Sequence, residues 1–141
     1  MPKPSQDPAG KSGGFKIKVL HVDDAEDILS YSRIILNGVG MEVLSASTAK
    51  AGIELAEKQH PDIILMDVEL PDMDGARASW VLKQNPKTKD IPIIMLTVKD
   101  DDKDIRKALN FGAAEYIVKP FQKDNLIARI LEVLKQSRKK T

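Results

Sequence analysis

Short blocks rich in Val and Ile alternate with longer amphipathic stretches along most of the chain. The blocks cover 17–22, 41–46, 63–66, 93–97 and 116–118, and several are apolar at both odd and even positions. That pattern predicts strands buried on both faces, as in a parallel sheet. Between them, apolar residues recur at helical spacing. Ile28, Ile34, Ile35 and Val39 are expected to share one face of a first helix. Ala51, Leu55 and Ala56 mark a second, and Ala78, Val81 and Leu82 a third. Ile105, Ala108 and Leu109 mark a fourth, and Leu126, Ile130, Leu131 and Leu134 a fifth. Gly38, Gly40, Pro61, Pro71, Gly75, Pro86, Gly112 and Pro120 punctuate the segments. Strict alternation of five strands and five helices predicts an α/β fold, a doubly wound five-stranded parallel sheet with helices on both faces.

Composition narrows this picture. The chain has 141 residues, and residues 1–14 hold three of its eight prolines and three of its eight glycines without apolar periodicity. They are expected to form a disordered arm or an expression scar, leaving one folded domain over 15–138. No output domain is expected after it. Lys and Arg total 22 against 21 Asp and Glu, a net charge of +1 that offers no footprint for nucleic acid. Cysteine is absent, so thiolate chemistry and disulfides are excluded. No apolar run approaches the ~20 residues of a membrane span, and the start lacks a signal-peptide core. A cytoplasmic location is therefore expected.

In a parallel sheet the carboxyl ends of the strands share one edge, where ligands bind at the switch point. The first block ends in Asp23-Asp24, the third in Asp67, the fourth in Thr97 and the fifth in Lys119-Pro120. The second ends in Ala46-Ser47 and offers no charge. A strand order of 2-1-3-4-5 puts that second strand at an edge. One cleft would then hold three carboxylates, a hydroxyl and an amine. Crowded carboxylates resist full ionisation unless a cation relieves them, and oxygen-only ligands favour Mg²⁺. Mg²⁺ with Lys119 and Thr97 suits a phosphoryl group. A carboxylate can itself accept phosphoryl, and Asp67, on the central strand, is the best candidate.

These pieces resemble the receiver domain of bacterial two-component response regulators, in its single-domain, chemotaxis-regulator-like form. The matching stretches are Val22-Asp23-Asp24, residues 66–75 (MDVELPDMDG), Met95-Leu96-Thr97, and residues 113–121 (AAEYIVKPF). The resemblance implies a flavodoxin-like fold and assigns roles. Asp67 would accept phosphoryl from a histidine kinase or a histidine phosphotransfer protein. Asp24 and Asp67 would ligate Mg²⁺ directly, with the backbone carbonyl of Glu69 as a third ligand and Asp23 acting through water. Lys119 would pair with the phosphoryl group. Thr97 would move onto it and Tyr116 would turn inward, remodelling the face of the fourth helix, fifth strand and fifth helix for a downstream protein target. Such a domain is a signalling phosphoacceptor rather than an enzyme, with self-catalysed phosphotransfer and autodephosphorylation only. A cis Lys119–Pro120 bond is typical of the family.

Other residues sharpen or complicate this reading. Val98 stands where the family usually has a small residue, so it either crowds the phosphoryl site or merely tops off the strand. Glu69 and Lys99 flank the mouth, where they would tune phosphoryl lifetime. His21 is read as a satisfied core histidine about 7 Å along the strand from Asp23, and His60 as a solvated turn residue. Trp80 is expected to face outward beside Arg77. Asp100, Asp101, Asp102 and Asp104 read as acidic capping of the fourth helix. Lys135, Arg138, Lys139 and Lys140 read as a solvated basic end. Two other functions compete: a small phosphohydrolase resembling the haloacid dehalogenase family, and an unphosphorylated scaffold. The first usually wants Asp where Glu69 stands, and the intact set Asp23, Asp24, Asp67, Thr97 and Lys119 argues against the second.

Overall fold

The computed structural model describes residues 16–98, 106 and 109–139. The five predicted strands are present as β1 (Lys18–Val22), β2 (Glu42–Ala46), β3 (Ile63–Asp67), β4 (Ile93–Thr97) and β5 (Glu115–Val118). All pair in parallel in the order β2-β1-β3-β4-β5. Four helices are described: α1 (Glu26–Asn37), α2 (Ala49–Gln59), α3 (Gly75–Gln84) and α4 (Lys123–Lys139). The fourth predicted helix falls largely outside the described residues, but Arg106, Leu109 and Asn110 are helical there. The arm over 1–14, Lys99, the acidic run from Asp100 to Asp104, and Lys140 also lie outside them.

β3 and β4 are buried along their whole length, as strands covered on both faces must be. Their side chains feed two cores. One contains Val19, Leu65, Leu96 and Ile117 with Leu36 of α1 and Leu126 and Ile130 of α4. The other contains Leu20, Ile64, Met66 and Met95 with Ala56 of α2 and Leu82 of α3.

Three helix faces differ from expectation. Leu109, expected on the inward face of the fourth predicted helix, is exposed. α1 buries Leu29, Ser32, Ile35 and Leu36, while Ile34 and Val39 are exposed. α4 buries Val133 and leaves Leu131 exposed. Serine takes a core position in α1 because it has a buried partner. Nδ1 of His21, itself wholly buried, lies 2.6 Å from Ser32 Oγ, and that hydroxyl donates to the Leu29 carbonyl. His60 is an exposed, left-handed residue closing α2, as its place before Pro61 suggests. Trp80 is exposed, with the Arg77 guanidinium 5.7 Å from its ring.

Candidate functional site

Each strand delivers its last residues to one edge because the backbone ladder continues past the strand. The Asp23 amide donates to the Ala46 carbonyl, Val68 to Leu96, and Lys119 to Thr97. The exits of β1, β3, β4 and β5 are thereby fixed side by side. They form a cleft of about 350 Å³ lined by Asp24, Asp67, Val68, Glu69, Thr97, Val98 and Lys119. A larger hollow of about 600 Å³ near Lys83, Asp90 and Gly112 lies at the other edge of the sheet and contains none of the predicted site residues.

Asp23, Asp24 and Asp67 each offer a carboxylate oxygen within 4.8 Å of the others. Asp23 and Asp67 are buried and Asp24 is exposed. Lys119 reaches between the two buried carboxylates, donating to Asp23 Oδ2 at 2.8 Å and Asp67 Oδ1 at 3.2 Å. Burial alone would raise the Asp23 pKa. The His21 imidazole, the Lys119 ammonium and the Ala25 amide outweigh it and hold the group at about 2. Burial and the charge of Asp23 raise Asp67, and Lys119 with the Glu69 amide only partly offset them. Burial would lower Lys119, but its two carboxylate partners hold its pKa above the ordinary lysine value.

One ammonium thus faces three carboxylates, a donor set made of oxygen and short of positive charge. A hard divalent cation fits it, and the oxygen-only chemistry favours Mg²⁺. The Asp24 side of the cleft is open, and Asp23 and Asp67 keep oxygens beyond those that Lys119 uses.

The loop after Asp67 is tightly built. Glu69 and Asp74 form an isolated antiparallel bridge, and Gly75 donates to the Val68 carbonyl at 2.7 Å. Asp74 caps α3 by accepting from the Ala76 amide. A Cβ on Gly75 would lie 2.1 Å from the Asp67 carbonyl oxygen, so the start of α3 packs here only with a bare Cα. Val98 lies beyond the last residue of β4, 65% exposed at the lip of the cleft, so it does not top off the strand. Tyr116 is partly buried against the second core. The Lys119–Pro120 peptide is cis. His21 differs from its expected isolation: its ring leans along the strand and brings Nε2 to 3.8 Å from Asp23 Oδ2. Nε2 is buried without a hydrogen bond. The residue types alone gave no warning of that approach.

The comparisons with known proteins agree with this architecture. The family model described as "Response regulator receiver domain" matches residues 19–131. The alkaline phosphatase synthesis transcriptional regulatory protein PhoP of Bacillus subtilis is 37% identical over 120 residues, 85% of this chain and 49% of its own. The chain thus spans about half the length of the curated relatives it matches. Among solved structures, a CheY-like receiver domain protein from Methanospirillum hungatei superposes with a TM-score of 0.84 at 31% identity, covering 90% of this chain and all of that one. The receiver domain of the sensor histidine kinase PA1611 from Pseudomonas aeruginosa, described with magnesium coordinated in its active site cleft, gives 0.80 at 26% identity, covering 86% and 99%. No helix among the described residues is long and apolar enough to cross a membrane. The chain belongs to the response regulator receiver domain family, the signalling domains of two-component systems.

Proposed function

We propose that the protein is a phosphorylation switch in which Asp67 takes a phosphoryl group from a histidine kinase or a histidine phosphotransfer protein, with Mg²⁺ bound, and thereby changes its affinity for a downstream protein. The observation that supports this most directly is a buried carboxylate at the end of β3, its pKa raised, facing an open cleft beside Lys119 and two further carboxylates. In the transfer, an Asp67 oxygen attacks phosphorus and the P–N bond of the donor phosphohistidine breaks. The bonding pair stays on the imidazole, which leaves neutral because its other nitrogen is protonated. Lys119 neutralises a phosphoryl oxygen, and the Thr97 hydroxyl donates to another.

Asp24, Asp67 and the Glu69 carbonyl would hold Mg²⁺, with Asp23 acting through water. The bound ion supplies positive charge opposite the phosphoryl oxygens. Movement of Thr97 and inward rotation of Tyr116 then bias the face made by the segment before β5, β5 itself and α4 toward one partner. Hydrolysis of the acyl phosphate by water resets the switch. The switch is assigned to residues 15–138, in the cytoplasm, with 1–14 as an arm outside it.

Acetyl phosphate or phosphoramidate with Mg²⁺, read by intact mass, tests this reading. Wild type gains one phosphoryl group. Asp67→Asn, or wild type with the metal chelated, gains none. A wild type that forms no adduct with any donor would overturn it.

A further inference from the structure

The loop from Asp67 to Gly75 is gripped from two sides. Asp74 holds its far end to α3. Asp72 reaches the other way. Its Oδ1 accepts the Ala49 amide at 2.8 Å and its Oδ2 the Lys50 amide at 3.0 Å. These are the first two residues of α2, which precede Asp72 by 23 and 22 positions. α2 also has its own cap, because the Thr48 hydroxyl accepts from the Ala51 amide at 3.1 Å. Asp72 therefore supplements a terminus already capped from within, and the same two bonds tie the site loop to a separate element. The amides of Lys50 and Ala49 hold the Asp72 carboxyl below the usual carboxylate range, so it stays an anion at neutral pH.

Two residues separate this clamp from Glu69. One is Pro71, whose ring fixes φ and restricts Leu70 before it. A clamped Asp72 therefore leaves the chain few paths back to the Glu69 carbonyl, and the Glu69–Asp74 bridge closes the loop from the other side.

We infer that Asp72 is a positioning residue for metal binding: by clamping the loop to the start of α2, it holds Asp67 and the Glu69 carbonyl in the arrangement that takes Mg²⁺. This rests on the proposed Mg²⁺-dependent reading of the site.

The test is Mg²⁺ binding to the full chain by calorimetry, beside phosphorylation by acetyl phosphate across Mg²⁺ concentrations. Thr48→Ala is the control, since it weakens the same helix terminus without touching the loop. Asp72→Ala raises the Mg²⁺ Kd about 3- to 10-fold, at or just below the low end of the roughly 10- to 100-fold losses seen when support behind metal ligands is removed. Its phosphorylation needs more Mg²⁺, while the rate at saturating Mg²⁺ stays within about twofold of wild type. Thr48→Ala loses similar thermal stability but keeps the wild-type Kd. Asp72→Asn recovers part of the affinity, because its single carbonyl oxygen can still accept an amide. If Asp72→Ala does not fold, Asp72→Asn against Thr48→Ala carries the same comparison. Equal Mg²⁺ affinities in wild type and the Asp72 variants, or equal losses in the Asp72 and Thr48 variants, overturn the inference. A wild type that binds no Mg²⁺ fails at the proposed function itself, and takes this inference with it.

Discussion

Asp23 and Asp67 end neighbouring strands, are both buried, and share the ammonium of Lys119, yet their acidities move in opposite directions. At the end of β1, Asp23 accepts from two donors, Lys119 at 2.8 Å and the Ala25 amide at 2.9 Å, with the His21 ring 3.8 Å away. At the end of β3, Asp67 meets the longer arm of Lys119 at 3.2 Å and the repulsion of Asp23. One carboxylate is thereby fixed as a permanent anion. The other carries a charge that the folded chain alone does not fully compensate, which is the property the proposed phosphoacceptor role needs. Burial is common to both, so the difference comes from donor count, from which carboxylate the lysine approaches more closely, and from the charge of Asp23 acting on Asp67.

The contrast can be broken most directly at the shared cation. Lys119→Met leaves Asp23 buried without its principal partner, and about 3 kcal/mol of unfolding free energy should be lost in urea titrations. A loss below about 0.5 kcal/mol, the scale of an exposed pair, would mean the cation does not couple the two strands.

A second test uses acid. The Asp23 pKa falls from an ordinary 3.8 to about 2 on folding, so its stabilisation is present above about pH 4 and drains away as the pH drops through 2. Asp23→Asn should cost about 2 kcal/mol at pH 7. Its denaturation curve should converge on that of wild type as the pH approaches 2.

Asp67 behaves with the opposite sign. Its raised pKa makes ionisation a burden on the fold, one absent in acid and present once the pH exceeds the usual carboxylate range. Asp67→Asn should therefore melt about 2–4 °C above wild type at pH 7, and the gain should vanish near pH 3. Equal melting temperatures at pH 7 would place the two carboxylates on the same footing.

The smallest effect is expected from Glu69 and Lys99, the pair expected from the sequence to tune phosphoryl lifetime. Neutralising Glu69 together with Lys99, a residue outside those described (Glu69→Gln with Lys99→Met), should alter the dephosphorylation rate by no more than about fivefold, the equivalent of about 1 kcal/mol. An unchanged rate would remove these side chains from any role in phosphoryl lifetime.

The strands were legible in the sequence because a sheet covered on both sides demands unbroken apolar blocks. The predicted boundaries fall within one residue of those observed. The cleft was legible for the same reason, since parallel topology alone says which strand ends must meet. The helix faces were less legible. Counting only apolar residues put Ile34 and Val39 inward, whereas the buried stripe of α1 passes through Ser32. His21 and Ser32 each look misplaced in a core, and each accounts for the other through one hydrogen bond. Asp72 escaped notice because reading for caps looks three or four residues along the chain, and its partners are more than twenty away.

The lysine between the two aspartates is separated from them by 96 and 52 residues of chain. The chemical centre is therefore stitched from the beginning, the middle and the late part of the polypeptide. A chain folded only through β4 would present the carboxylates without their cation. On the proposed function, competence to take a phosphoryl group would then report that all five strands have come together. Copies that stop short of β5 would stay silent, because their carboxylates would lack the lysine that pairs with them.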